Sequence, residues 1–356
     1  MIKHGSPSNV IPLARSGKIC VVTPCYHEQD GIAAFHRELK NVLETGCRFY
    51  EHEIVFVDDG SSDQTLDRLK EIAASDPFVS VYSLSRNQGH QTALSAGLDR
   101  AVGDAVIMMD SDLQHPPELI PEMIQRWQSG NEIVLAVRRQ TEDASWFKRV
   151  TSSGFYWVFN ALSDVKLTPG AADFCLLSNS VHQQLISMPE KQRFLRGMIA
   201  WLGFQPTKIE YTAPPRYAGA SSYGLARMTK LAINATVSFS NRPIRLAAKG
   251  GIVCFVGGLL YLTYIFSRSV LLGDLVPGWA SILGAVILMG GIQLLSIGLI
   301  GEYLAHVFEE VKGRPAFVFK YSHAARNASS STDSGGSSQS DGSIDLPETA
   351  MTRKAS

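Results

Sequence analysis

Residues 105–115 read AVIMMDSDLQH: five apolar residues halted by a carboxylate, a serine and a second carboxylate. An unbroken apolar run of that length, rather than strict alternation, is the pattern of a strand buried on both faces. The same pattern recurs upstream at Lys18–Thr23 (KICVVT), Glu53–Val57 (EIVFV) and Val79–Leu84 (VSVYSL), and downstream at Glu132–Val137 (EIVLAV). Between these runs the apolar spacing turns helical at Ile32–Leu43, Thr65–Ala74, Gln91–Val102 and Pro117–Gln128, and Asp63 is placed to cap the second of these helices. Buried strands alternating with helices predict an α/β domain around a mainly parallel sheet. In such sheets ligands bind beyond the carboxyl ends of the strands.

The strand ends carry nearly all the chemistry. Pro24, Cys25, Tyr26, His27 and Glu28 follow the first strand, and Asp58 and Asp59 follow the second. Ser85 to His90 follow the third, Asp110 to His115 the fourth, and Arg138 the fifth. Asp110 and Asp112, two residues apart at a strand end, can both reach one divalent cation, with the Gln114 carbonyl as a third oxygen. Mg²⁺ and Mn²⁺ favour such hard ligands and complete their shells with phosphate oxygens. Two solvated loop acids would show the same spacing. Asp58 and Asp59 can accept hydrogen bonds from a base or a ribose, or can serve the turn that Gly60 and Ser61 also favour.

Charge and cysteine usage exclude several classes. Lys+Arg and Asp+Glu balance at 33 each, without the basic excess of a nucleic-acid binder. Five cysteines with no CxxC pair argue against a disulfide framework or a zinc site. Met1–Lys18 is polar and lacks the apolar run of a signal peptide.

Towards the carboxyl end charge almost vanishes. Residues 250–267, between Lys249 and Arg268, and residues 275–301, between Asp274 and Glu302, carry none. A bilayer core takes roughly 20 apolar residues in a helix, so two transmembrane helices are expected. Arg242, Arg245 and Lys249 precede them and Lys312, Arg314 and Lys320 follow. Basic flanks mark the cytoplasmic side, which puts the large domain and both termini there. Phe147–Leu162 and Tyr223–Phe239 mix basic with aromatic and aliphatic residues, as helices in the headgroup layer do. Residues 327–356, rich in Ser and Gly, are expected to be a disordered tail.

The ordered set VVTPCYHEQD, FVDDGSSDQT, LSRNQGHQTALSAGLDRAVGD and MMDSDLQHPPELIPEM resembles glycosyltransferase family 2, which has the GT-A (Rossmann-like) fold. Within it, the chain is most similar to polyprenyl-phosphate glycosyltransferases: dolichol-phosphate mannose synthases and bactoprenol glucosyltransferases. The resemblance continues through DFCLLSN, FLRGMIAWLGF, RYAGASSYGLARM and GEYLAHVFEEVKGRP, and so covers roughly residues 18–320. It implies an N-terminal extension (1–17), a catalytic domain (18–241), a two-helix membrane region (242–304), a juxtamembrane segment (305–326) and a tail (327–356).

The family pattern also implies roles. Pro24, Tyr26 and Glu28 would line the nucleotide pocket, and Asp58 or Asp59 would bind base or ribose. Asp110, Asp112 and Gln114 would hold Mg²⁺ or Mn²⁺ on the donor diphosphate. Arg138 matches an arginine after strand five, Asp173 an acid near the acceptor, and Arg216 an arginine that closes over the diphosphate from a Gly-containing loop. The implied reaction moves a sugar, with UDP-glucose the first candidate donor, to undecaprenyl or dolichyl phosphate with inversion. It would take place at the cytoplasmic face of a membrane, the inner membrane if the cell is bacterial, and is compatible with a homo-oligomer such as a tetramer. Two departures remove cations: Cys175 stands where the family usually has Arg, and Ser222 where it has Lys. Arg196, Arg227 or Lys230 would then have to substitute. The alternatives are a weakened nucleotide-sugar-binding scaffold, or a transferase for another lipid or a polysaccharide.

Overall fold

A computed structural model describes residues 17–139, 170–191, 193–212, 242–272 and 278–325. In chain order the elements are β1 (Lys18–Cys25), α1 (Ile32–Gly46), β2 (Glu51–Asp58), α2 (Thr65–Ser75), β3 (Val79–Leu84), α3 (His90–Leu98) and β4 (Ala105–Met108). A 3-10 turn (Pro117–Leu119) leads into α4 (Ile120–Gln128), followed by β5 (Ile133–Arg138) and β6 (Ala171–Ser178). Then come α5 (Asn179–Ser187), α6 (Leu195–Trp201), β7 (Thr207–Tyr211), α7 (Arg242–Leu272), α8 (Trp279–Val311) and β8 (Phe319–His323). The expected α/β domain is present, with the first five strands where their apolar runs lie. The third helix ends at Leu98 rather than Val102, because Arg100 and Ala101 turn their N–H groups back onto the Gly97 carbonyl.

Among the described residues one eight-stranded sheet holds every strand, in the order β7-β5-β6-β4-β1-β2-β3-β8. β1 is parallel to β2 and β4, β2 to β3, and β5 to β7, whereas β6 and β8 run antiparallel to their neighbours. Alternate side chains on each strand enter opposite cores, as a period of two requires. Phe35, Leu39 and Leu43 of α1, Leu69 of α2 and Met123 of α4 pack on one face with Ile54, Phe56, Ile107 and Phe174. Leu94 of α3, Leu185 of α5 and Leu195 and Met198 of α6 pack on the other with Val22, Val57, Met108 and Cys175. Strand order reverses at β1: β2 and β3 extend to one side, β4 to the other. That switch point is where a crevice opens beyond the strand ends.

Neither β6 nor β8 was expected from the apolar runs, and β8 lies beyond the expected catalytic domain. β6 runs against β4 and β5, so its amino end lies at the edge where the parallel strands finish. β8 lies beyond both long helices, inside the segment expected to be only juxtamembrane, and closes the far edge of the sheet. The Phe319 ring sits 5.4 Å from Tyr82, and Arg100 stacks over the Phe319 ring at 5.1 Å. Ala325 N–H donates to Ser80 Oγ (2.8 Å), and Ser85 N–H to the Val318 carbonyl (2.8 Å). Residue 241 is therefore not the end of the catalytic fold. A chain ended at Lys312 exposes the β3 edge and is expected to lose about 2–4 kcal/mol, the burial of one or two large apolar side chains. The chemical-denaturation midpoint in detergent checks this. An unchanged midpoint would show β8 to be energetically idle.

α7 and α8 contact each other. Both carry exposed apolar side chains, among them Ile252, Val253, Leu260, Leu294 and Ile297. Among the described residues one segment, Met289–Val311 in α8, is long and apolar enough to cross a membrane, with mean hydropathy 1.3 over its apolar window. In α7 the corresponding stretch, Ala247–Gly258, is shorter. At the foot of α8, Lys191 N–H donates to Glu310 Oε1 (3.0 Å), and Lys191 Nζ donates to the Glu309 carbonyl (3.0 Å). The hairpin is thereby tied to the loop between α5 and α6.

Candidate active site

At the switch point the loops after β1 and β4 are bonded together. Ser111 Oγ donates to the Pro24 carbonyl (3.1 Å). Each loop contains a non-glycine residue with left-handed backbone, His27 (φ 56°) and Leu113 (φ 58°). Such strain of order 1–3 kcal/mol persists where surrounding contacts enforce it, and it gathers at working sites. Asp110 N–H donates to His115 Nδ1 (2.9 Å), and the imidazole is stacked on Phe174 with centroids 5.2 Å apart. His115 thus folds the DSDLQH loop back on itself. Gln114 N–H donates to Asp112 Oδ1 (3.0 Å), closing the turn from inside. Asp110 Oδ1 is buried without a hydrogen-bond donor. His90 Nε2 stands 3.3 Å from it but out of hydrogen-bond alignment.

The residues expected to line a nucleotide pocket lie along the same edge. Tyr26, 45% exposed, stacks on His27 at 4.0 Å. Glu28 N–H donates to Thr65 Oγ1 (2.9 Å), and its carbonyl accepts from Gly31 and Ile32 at the start of α1. Asp58 is fully buried, and its oxygens accept from Ser61 N–H (3.0 Å) and Ser83 Oγ (2.5 Å). Asp59 accepts from Gln88 N–H (2.7 Å) and Gly89 N–H (2.9 Å). Burial raises the Asp59 pKa, partly offset by these two backbone donors. Both acids hold loops together, Asp58 its own turn and Asp59 the loop after β3.

Gly60 makes that turn possible. Its φ is +67°, and a Cβ there would lie 2.4 Å from the Arg86 carbonyl carbon. Gly60→Ala pushes two loops of the crevice apart and adds left-handed strain of about 1–2 kcal/mol. The expected result is weakened nucleotide binding together with a lowered melting temperature. Wild-type values of both would contradict the placement of these loops.

Asp173, at the amino end of β6, is 7% exposed. Arg196 Nε donates to its Oδ1 (2.6 Å), and Gln91 Nε2 donates to its Oδ2 (3.0 Å). His90 Nε2 lies 3.4 Å from Oδ2, bridging Asp173 and Asp110. Burial alone would raise the Asp173 pKa. The Arg196 charge and the bonds from His90 and Arg196 outweigh it and hold the carboxyl well below the usual range. For His90, burial is likewise outweighed by Asp173 and Asp110, which raise its pKa.

The structure gathers Pro24, Tyr26, Glu28, Asp58, Asp59, Asp110, Asp112, Gln114 and Asp173 at one sheet edge. Arg138 ends β5 on that same side, its N–H bonded to the Gly170 carbonyl (3.0 Å). Arg216, Ser222, Arg227, Lys230 and both amphipathic stretches lie outside the described residues. Four contributors had no assigned site role in the sequence: His90 and His115, which do stand after strand ends, Gln91, which opens a helix, and Arg196, named there only as a substitute cation. Arg196 reaches Asp173, which shares a sheet face with Cys175 two residues on. Cys175 itself is buried, and burial drives its thiol pKa upward.

Comparison with known proteins agrees with this geometry. The model of Glycosyl transferase family 2 matches residues 20–185, and that of the GtrB C-terminal hairpin matches residues 242–307. The chain is 36% identical to the uncharacterized glycosyltransferase YkcC of Bacillus subtilis (strain 168), over 88% of this chain and 97% of that one. It is 37% identical to the SfII prophage-derived bactoprenol glucosyl transferase of Shigella flexneri, over 86% and 98%. It is 36% identical to a prophage bactoprenol glucosyl transferase homolog of Escherichia coli (strain K12), over 85% and 98%. With these motifs on a GT-A sheet and relatives matched nearly end to end, the chain belongs to glycosyltransferase family 2 and is a nucleotide-sugar glycosyltransferase carrying a GtrB-type hairpin.

Proposed function

We propose that the protein transfers glucose from UDP-glucose to a polyprenyl phosphate at the membrane surface, inverting the anomeric centre. One observation carries the reading: a crevice lined by Asp110, Asp112 and Asp173 belongs to a sheet whose chain runs on into an apolar helical hairpin. The near full-length relatives named bactoprenol glucosyl transferase support the same acceptor and sugar. The hairpin, α7 with α8, would cross the bilayer twice with the catalytic sheet on the cytoplasmic side, in line with its basic flanks.

The residues suit a divalent cation. Asp110 Oδ1 is a buried acceptor without a donor, and Asp112 lies two residues away in the same strained loop. Among the described residues no group of three or more His, Cys, Asp or Glu is placed to hold a metal ion, so the protein would offer only these two carboxylates. Such a set, completed by Gln114 and by phosphate oxygens, fits Mg²⁺ or Mn²⁺. A bound cation would neutralise charge on the leaving diphosphate.

The chain's own groups do the rest. Tyr26 and Glu28 flank the base and ribose, and Asp59 fixes the loop beside them. An oxygen of the lipid phosphate forms the new bond to the sugar's anomeric carbon. The bond from that carbon to the diphosphate oxygen breaks, and its electron pair leaves with UDP. A phosphate is already ionised, so no strong base is required. Asp173, held as an anion by Arg196, Gln91 and His90, orients rather than deprotonates. Arg138 and Arg216 would stabilise the departing diphosphate.

A panel of labelled nucleotide sugars incubated with the full-length protein in membranes containing undecaprenyl phosphate tests this. Label from UDP-glucose is expected in the organic phase. Label there from another donor only would overturn the choice of sugar, and label in no lipid would overturn the acceptor.

A further inference from the structure

Gln91 occupies the first turn of α3, half-buried, and makes two side-chain bonds to elements distant in sequence. Its Oε1 accepts from the Leu195 N–H at the start of α6 (3.1 Å), while its Nε2 donates to Asp173 Oδ2 (3.0 Å). The orientation of the amide is dictated, because a backbone N–H can only donate. Oε1 must face Leu195, so Nε2 must face the carboxylate. The residue after Leu195 is Arg196, whose Nε donates to the other oxygen of the same carboxylate (2.6 Å). A single side chain therefore sets the start of α6, from which Arg196 reaches Asp173, and takes the second carboxylate oxygen itself.

We propose that Gln91 is a positioning residue for the transfer step: it fixes the plane of the Asp173 carboxylate that faces the acceptor. This rests on the reading of Asp173 given above. Gln91 touches neither donor nor acceptor and acts through Asp173. The amide is suited to the task because it donates on one side and accepts on the other, which neither a carboxylate nor an amine does.

That asymmetry supplies the test. Gln91→Glu keeps the acceptor for Leu195 N–H and replaces only the donor to Asp173 with a second carboxylate oxygen. A residue that merely anchors α6 tolerates this change; one that orients Asp173 does not. With the full-length protein, UDP-glucose and undecaprenyl phosphate, kcat for Gln91→Glu is expected to fall on the order of 100-fold, the scale of a misplaced reacting group. The KM for UDP-glucose stays within about three-fold, since uniform donor binding is untouched. The double variant Gln91→Glu/Asp173→Asn is expected to be no slower than Asp173→Asn alone, because residues acting as one unit are not additive. Wild-type kcat for Gln91→Glu, or losses that multiply in the double variant, would overturn the role of Gln91 and leave the reaction standing. No turnover by the unmodified chain would overturn the reaction, and this inference with it. If Gln91→Glu lowers the melting temperature, Gln91→Ala gives the same cycle with both bonds removed, and the same non-additivity is required.

Discussion

Asp112→Ala abolishes sugar transfer while the protein stays folded. Asp112 is half-buried in the DSDLQH loop, where its Oδ1 accepts from Gln114 N–H and closes a local turn. Losing that bond costs about 1 kcal/mol of stability. The loss in rate is far larger. Neutralising a leaving diphosphate takes several kcal/mol, and about 4 kcal/mol of lost stabilisation is about a 10³-fold drop in kcat. Asp110 is less separable, because its N–H and both carboxylate oxygens lie within reach of His115 and His90. Measuring kcat and melting temperature for Asp112→Ala, with and without excess chelator on the wild type, checks the assignment. Wild-type activity under chelation would contradict it.

Arg196→Ala has the second largest expected effect. The Asp173 carboxylate is nearly buried, and Arg196 is its cation. Breaking a fully buried ion pair costs about 3–5 kcal/mol. The Arg196 side chain is 37% exposed, so solvent screening reduces the stability loss here to about 1–2 kcal/mol. The activity loss is larger, on the order of 100-fold, because the carboxylate rotates away from the geometry the acceptor needs. Arg196→Lys keeps the charge but not the planar fork, and a partial recovery of about ten-fold over the alanine variant is expected. Equal activity of Arg196→Ala and wild type would show that Asp173 needs no cation.

The structure also shows which features the sequence could carry. β1 to β5 were legible because each is an unbroken apolar run between helical periods, and local pattern suffices for that. β7 (TKIEY) and β8 (FKYSH) are short, half-exposed edge strands with charged residues facing outward, so neither shows a buried run. β8 was hidden further by its position: a strand separated from its β3 partner by two long helices leaves no local sign of where it pairs. The carboxylates at 58, 59, 110 and 112 were legible because strands end on them. Asp173 was legible only through the family resemblance, since it lies near the start of an antiparallel strand and reaches the site only through pairing with β4 and β5. His90 follows a strand end in full view and Gln91 stands beside it in the first turn of α3, but their role depends on Asp173 and α6, distant in sequence and adjacent only in the fold. Cys175 marks a missing cation in the sequence, and only the packing of α6 shows Arg196 beside Asp173.

The most direct test is the mass of the lipid product. Purified full-length protein in detergent, with UDP-glucose, undecaprenyl phosphate and Mg²⁺, is predicted to convert the lipid to a species heavier by one hexosyl residue, with release of UDP. The free lipid alcohol, which lacks the ionised phosphate oxygen, is predicted to remain unmodified. An unchanged lipid phosphate alongside glucosylated alcohol, or UDP release with no lipid-linked sugar, would contradict transfer to a polyprenyl phosphate.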